Sequence, residues 1–515
     1  MPTSRSSRWL ALAALAVAML TIGLDTTVLT VAVPTLAVDL DASNAQLQWF
    51  ASAYTLVLAA VLLPAGSLGD RFGRKRFLLG ALLLFGAASV LCAYAGSAET
   101  LIAARAALGL GAAVMMPLSM AVLPVLFPDS RERGRALTIW VTSTAIGLPL
   151  GPILGGWFLE HFWWGSIFLI NVPLVLVGML AVALFVPESR GNDSRPADLP
   201  GILLSSAGLL GLTYGFIRIG QDGWSDLGDW ALVAAGVALL VLFVARQRRA
   251  AYPLIDLALF RSRGFTLGSG LATVINFAMF GLLFLVPQFL QAVGGVSPLG
   301  TGVRLLPMIG GLVVGTRVGG RLARTVGSGP LIGTGFVLLT VALGLGARTA
   351  VDTGYGWTAA WIALLGGGMG LAMPATMGAA MDALSIERAG SGSAVIQALR
   401  QAGGTIGVAV LGTVLSGGYQ TGLGSAAVKP VSDSAAAGVA VAAQQGNLTL
   451  LNTVRTAFVS GMNQTLWVCV VLCALAAAIA FWLLPRRPEA PVEVAGAERL
   501  PVPGPAPVTE SLHAD

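Results

Sequence analysis

Apolar residues in this chain gather into long, nearly unbroken runs, not the two-residue alternation of a half-buried strand or the narrow stripe of a surface helix. Runs near the ~20 residues that a helix needs to cross a bilayer recur fourteen times, at roughly 9–33, 47–69, 77–95, 100–126, 136–158, 165–186, 199–217, 230–245, 265–290, 300–320, 329–347, 357–381, 395–416 and 460–485. Each run predicts a helix, because a backbone surrounded by lipid has to satisfy its polar groups internally. The polar stretches between runs are short, apart from two. Residues 417–458 are small, polar and rich in Gly, Ala and Ser, which fits either an ordered cap or a loose loop. Residues 486–515, rich in Pro, Val and Glu, read as a disordered tail.

Composition agrees with the pattern. The 515 residues are 56% hydrophobic and 10% charged, against about 25% charged in soluble domains, so the chain cannot clothe a water-facing surface. Its basic residues are placed asymmetrically. With the N-terminus in the cytoplasm and the runs alternating in direction, 23 of the 30 basic residues fall in cytoplasmic segments, Arg400 counted among them. Only Arg218, Arg348, Lys429 and Arg455 fall outside, and Arg105, Arg304 and Arg317 lie in spans. The positive-inside rule predicts this bias, and a wrong span count would scramble it. The net charge of +6 is thereby explained without nucleic acid, whose grooves interleave basic residues with aromatics. The first run follows Arg5 and Arg8 like a signal peptide, but it is too long for one and many spans follow. Cys92, Cys469 and Cys473 sit in apolar runs without CxxC spacing, and His161 and His513 are the only histidines. Metal sites and structural disulfides are not expected.

The chain also repeats itself. "GSLGDRFGRK" starts at Gly66 and "GRLARTVGSG" at Gly320, a fixed offset of 254 that aligns Gly73 with Gly327. The offset spans eight runs, an even number, so both copies face the same side. Two six-span bundles separated by a two-span insert satisfy this arithmetic and match a known transporter plan of parallel repeats. The expected divisions are 1–190, 191–250 and 251–485, with the tail at 486–515.

Four stretches carry a family resemblance. "GSLGDRFGRKRFLLG", 66–80, resembles the signature loop of the major facilitator superfamily through Gly66, Asp70, Arg71, Gly73, Arg74 and Lys75. The resemblance implies that Asp70 helps latch the outward-open state. The positive-inside rule alone would explain the arginines, but not the glycines or Asp70. "TAIGLPLGPILGGWF", 144–158, resembles the antiporter signature of exporters in that superfamily through Gly147, Gly151, Pro152, Gly155 and Gly156. It implies a bendable seam between bundles, and ordinary small-residue packing would use the same residues. "LIAARAALGLGAAVMMPLSM", 101–120, resembles the fourth-span motif, with Arg105 as its basic residue. "GLDTTVLTVAVPTLAVDL", 23–40, is similar to the first span of the fourteen-span drug/proton antiporters, the QacA-type exporters. The implied fold is an all-α major facilitator fold of 14 transmembrane helices, arranged 6 + 2 + 6.

Asp25 poses the chemical question. It is the one acidic residue clearly inside a span, and such a residue is a functional candidate by default. A structural hydrogen bond is the plainer alternative. At 1.5 Å per residue it lies about 12 Å below the outer surface, with Arg105 roughly 8 Å deep on span four, so the two can meet. Either Arg105 holds Asp25 ionised or it exchanges with a proton there. Apolar cavities with a few polar handles bind drugs, and Asp25, Tyr54, Met116, Trp140, Asn276, Phe280 and Gln288 are the expected contacts, although each one singly could serve packing. The resemblance implies a proton-coupled multidrug efflux antiporter in the plasma membrane, both termini cytoplasmic. It would be a monomer, driven by the proton gradient without cofactor or metal, its partners small-molecule drugs, lipophilic cations, protons and membrane lipids. Export of an endogenous lipid or envelope precursor is the alternative. Nutrient import is disfavoured by the span-five signature. A membrane enzyme lacks paired acids, a nucleophile with a base, or metal-ligand spacing.

Overall fold

Every apolar run winds into helix, as a lipid-facing backbone requires. The computed structural model describes residues 5–190, 198–384 and 389–484, and contains no strand among them. In chain order the long helices are α1 (Arg5–Asp39), α2 (Asn44–Phe72), α3 (Arg74–Ala93), α4 (Ala98–Leu126) and α5 (Ser130–His161). There follow α6 (Ser166–Phe185), α7 (Leu199–Asp222), α8 (Leu227–Gln247), α9 (Arg263–Val293) and α10 (Pro298–Leu322). The chain continues through α11 (Ser328–Gly346), α12 (Tyr355–Asp382), α13 (Ala389–Leu423) and α14 (Leu448–Leu483). Among the described residues, thirteen of these segments have the length and apolarity to cross a bilayer. The remaining one, α5, is 32 residues long and packs along α1. The chain is thus a multi-pass membrane protein.

Helix starts are written locally. Ser43 and Gln46 form a reciprocal capping box before α2. Ser97, Asp129, Asp226, Ser262, Ser297 and Asn447 each accept a backbone N–H of the first turn that follows. Such caps satisfy donors that the helix itself leaves orphaned.

Three departures from the expected spans are local. α6 is interrupted at Ile170 and α10 at Leu305. α9 ends in a π-helical turn, Phe289–Val293, just after Pro287, where the missing proline N–H already breaks the regular ladder. Finally, α13 and α14 outlast their apolar runs, and a short helix, Ala435–Gln444, lies between them. Residues 417–458 are therefore mostly helical. Tyr419 Oη donates to Val431 O at 2.8 Å, and Asn44 N donates to Asp433 O at 2.7 Å, which ties this segment to the outer end of α2. The expected tail, 486–515, lies outside the described residues.

Within α1–α6 the main packing partners are α1 with α5 and α6, α2 with α4, and α3 with α4 and α6. Within α9–α14 they are α9 with α12 and α13, α10 with α12, α11 with α12 and α14, and α13 with α14. The two sets meet along α2 and α13, and where α5 crosses the start of α10. Helices α7 and α8 pair with each other, and α7 leans on α2 and α13. This hairpin is clamped at both ends. At the end that holds the start of α7, Asp198 accepts Arg246 Nη2 at 2.8 Å, Gln247 Nε2 at 2.8 Å and Gly201 N at 3.1 Å. At the opposite end Arg218 Nε meets Asp229 Oδ1 at 3.3 Å, and Arg218 also reaches Asp222. Burial pushes the Asp198 carboxyl up, but Arg246, Gln247 and the Gly201 N–H outweigh it and hold it below its usual value.

The repeat is visible in the backbone. Gly73, between α2 and α3, has φ +110°, and Gly327, between α10 and α11, has φ +82°. Both turns use a conformation that side chains rarely tolerate, which explains why glycine recurs at the same register in the two copies.

Candidate transport site

Asp25 stands near the middle of α1, and none of its surface is exposed. Its Oδ2 accepts Arg105 Nη1 from α4 at 2.8 Å, and its Oδ1 accepts Asn171 Nδ2 from α6 at 3.0 Å. Asn171 Nδ2 also reaches Ser89 Oγ on α3, 3.3 Å away. Arg105, 2% exposed, donates from Nε to Phe50 O on α2 at 3.0 Å, and its guanidinium lies 4.6 Å from the Tyr54 ring centroid. The pair thus joins α1, α2, α4 and α6, with α3 reached through Ser89. Close approach allows this: a Cβ on Gly109 would lie 2.4 Å from Tyr54 O, so only glycine on α4 lets α2 pass so near. Buried charges demand such pairing, and removing one partner of a buried pair costs about 3–5 kcal/mol.

A cavity of about 20 Å³ sits beside this pair, lined by Thr26, Thr30, Tyr54, Thr55, Arg105, Phe280, Phe284 and Val408 among others. That is room for about one water. Arg105 and Tyr54 face it, while Asp25 stands behind them. In this conformation Arg105 and Tyr54, and not Asp25, line the cavity.

The other expected contacts divide. Tyr54 and Phe280 line the cavity. Asn276 and Gln288 turn back to their own helix, donating to Ala272 O at 3.0 Å and Phe284 O at 2.7 Å. Each bond takes one of the two donors of its amide. Met116 and Trp140 lie further inward, where Trp140 Nε1 donates to Ser119 Oγ at 3.0 Å and Met116 Sδ lies 3.9 Å from Gln397 Nε2.

The glycines of α5 also divide. A Cβ on Gly147, Gly151 or Gly155 would come within 3 Å of α1 atoms, at Leu20 O, Thr27 Oγ1 and Val28 Cγ2 respectively. These three seat α1, in the same set of helices, and are not a seam between the two sets. Only Pro152 and Gly156 meet α10: a Cβ on Gly156 would lie 2.5 Å from Pro298 O, and one on Gly302 would lie 2.3 Å from Pro152 O. Leu299 N donates to Glu160 Oε1 at 3.3 Å, and Gln291 Nε2, in the π turn of α9, donates to Val31 O at 2.8 Å. The two sets of helices are thereby in contact at this end.

In the 66–75 loop, Arg74 Nη1 donates to Ala121 O at 3.2 Å and Lys75 Nζ to Ala183 O at 2.7 Å. Both carbonyls belong to the C-terminal parts of helices, where cations are favoured. Glu188 Oε1 accepts Lys75 N at 3.1 Å and would lie 2.8 Å from a Cβ on Gly73. Arg71 is exposed, its guanidinium 5.5 Å from the Phe72 ring centroid. The Asp70 side chain lies outside the described residues. A Cβ on Gly66 would sit an ordinary 3.8 Å from Pro117 Cβ. The tight position is Gly69, against Leu118.

Sequence reasoning missed Asn171, Gln397 and the depth of Arg400. An asparagine within the run "IFLINVPLVLV" was the available signal for the first. Arg400, expected in a cytoplasmic segment, lies eleven residues inside α13, about 16 Å from its start.

Residues 15–408 match the family described as Major Facilitator Superfamily. The chain is 35% identical over 486 residues to the multidrug efflux pump LfrA of Mycolicibacterium smegmatis, covering 92% of this chain and 95% of that one. It is 32% identical over 502 residues to the tetracenomycin C resistance and export protein of Streptomyces glaucescens, covering 94% and 93%. A bacterial homologue of the lysosomal transporter Spinster, solved in an inward-facing, unoccupied conformation, superposes with a TM-score of 0.66 at 18% identity, covering 93% of this chain and 97% of that one.

Proposed function

The chain belongs to the major facilitator superfamily, and on that premise we propose that it is a proton-coupled multidrug efflux antiporter of the plasma membrane. It acts as a monomer with both termini in the cytoplasm. It exports lipophilic compounds, cations among them, and needs the proton gradient but no cofactor.

The observation that carries the reading is the buried Asp25–Arg105 pair, with Arg105 in the lining of the cavity and Asp25 behind it. With Asp25 ionised, its charge and Phe50 O hold the guanidinium against Tyr54. A proton on Asp25 removes the charge that anchors Arg105. The guanidinium then turns toward the cavity, expels a bound cation and loosens the tie between α1 and α4. Opened outward, Asp25 takes a proton as cargo leaves. Opened inward, it gives the proton up as cargo binds. Proton and cargo compete through Arg105 and do not share one carboxylate.

Asp25→Asn keeps hydrogen-bonding atoms for Asn171 but cannot ionise. In proteoliposomes with an imposed pH gradient, the variant is expected to fold and to lose at least about tenfold of its ethidium efflux, more than 1.4 kcal/mol of driving interaction. Wild-type efflux by this variant sinks the coupling role.

A further inference from the structure

Among the described residues Arg400 has no counter-ion. It lies deep in α13, where its Nη1 donates to Gln397 Oε1 at 3.1 Å and its Nε, buried, has no hydrogen-bond partner. No ion pair with a described residue reaches it. Helices α9, α10, α11, α13 and α14 contain no Asp or Glu at all, and in α12 the only one is its last residue, Asp382. A bare guanidinium inside a membrane protein is costly unless it faces water or a partner.

Its position says which way it faces. Gln397 and Arg400 are three residues apart and share a face of α13. Gln397 touches Met116 of α4, across the junction between the two sets of helices. Further outward along α13, Thr405 Oγ1 donates to Thr55 Oγ1 at 2.8 Å, and Val408 lines the central cavity. Arg400 thus stands on the face turned toward the opposite set of helices, about two turns inward of that cavity, in a layer with Met116, Gln397 and Trp140. In the same core Asp25 and Arg105 pair with each other, whereas Arg400 has no charge partner among the described residues. Guanidinium pairs with planar anions through two parallel N–H bonds.

We propose that Arg400, assisted by Gln397, is the anion subsite of the cargo path and gives the transporter lipophilic acids, carrying a carboxylate or phenolate, as a substrate class beside cations. The proposal rests on the exporter reading above. An acid entering from the cytoplasm meets Arg400 and Gln397 as its polar handles, with Met116 and Trp140 against its apolar body. A cation does not use this subsite and depends on Tyr54 and Phe280.

The test uses the full chain in proteoliposomes with two dyes, ethidium as cation and fluorescein as lipophilic carboxylate. The wild type is expected to export both. Arg400→Gln is expected to lose fluorescein export about tenfold or more while keeping ethidium export within about twofold. Arg400→Lys, which keeps the charge but not the fork, is expected to fall between. If the Gln variant does not fold, the Lys variant alone decides, through a raised fluorescein KM at unchanged ethidium KM. Equal losses for both dyes, or unchanged fluorescein export, overturn the proposal. A wild type that moves ethidium but not fluorescein also overturns it and leaves the exporter reading intact. A wild type that moves neither dye removes the exporter reading itself.

Discussion

At the scale of single residues, the glycines of the 66–75 loop are not interchangeable. Gly73 adopts φ +110°, and a Cβ there would lie 2.8 Å from Glu188 Oε1. Left-handed backbone costs an L-residue about 1–2 kcal/mol, and Glu188 would also have to release Lys75 N. Gly66 is helical, with ordinary space around it, and alanine is the better helix former by about 0.5–1 kcal/mol. Gly73→Ala should therefore lower the thermal unfolding temperature, while Gly66→Ala should leave it level or raise it. The reverse order in a detergent melt would mean that the loop geometry is not what makes Gly73 necessary. The same scale explains Asn171: an amide that donates both to a buried carboxylate and to Ser89 cannot be replaced by an apolar residue of similar shape without orphaning both acceptors.

At the scale of elements, the α7–α8 hairpin behaves as a clamped pair. The Asp198 carboxyl caps α7, grips Arg246 and Gln247 of α8, and is held below its usual value. Because its value is depressed on folding, its stabilisation is complete above the ordinary carboxylate range and disappears as pH falls through the lowered value. Amide exchange at 199–202 and 246–255, after correction for intrinsic rates, should stay protected from neutral to mildly acidic pH and quicken only below that range. Asp198→Asn should expose the same amides at neutral pH. If the variant protects them as the wild type does, the packing of α7 on α8, and not the carboxylate, holds this end of the hairpin. Arg246 is substantially exposed, so its share of the clamp is modest and sensitive to salt.

At the scale of the whole molecule, the junction of α5 with α10 rests on backbone meeting backbone. Where α5 crosses α10, Gly156 and Gly302 each leave no room for a Cβ, and Leu299 N–H to Glu160 spans the junction. Alternating access requires this junction to part and reform. Gly156→Val should hold it apart: spin labels at 160 and 299 should read a longer separation than in the parent, and ethidium export should fall more than about tenfold. That fold-change corresponds to about 1.4 kcal/mol of bias against the closed state. Unchanged separations would show that closure does not depend on this contact.

Much of this was legible in the chain itself. A run of apolar residues near bilayer length has one physical solution, a helix, so the helical membrane fold and the alignment of Gly73 with Gly327 could be read directly. Asp25 and Arg105 could be singled out because lipid makes charge conspicuous. What needed the tertiary structure was direction and partnership. Hydropathy ends where apolarity ends, so it missed the helical continuation of α13 and α14 into residues 417–458. The period of a helix does not say which neighbour a glycine faces, so Gly147, Gly151 and Gly155 turned out to seat α1 while only Gly156 meets α10. Nor could the sequence show that Arg105 screens Asp25 from the cavity, that Asn171 completes its coordination, or that Arg400 lies in the interior without a counter-ion among the described residues. Each depends on contacts between residues far apart in the chain, and side-chain spacing along one helix carries no information about them.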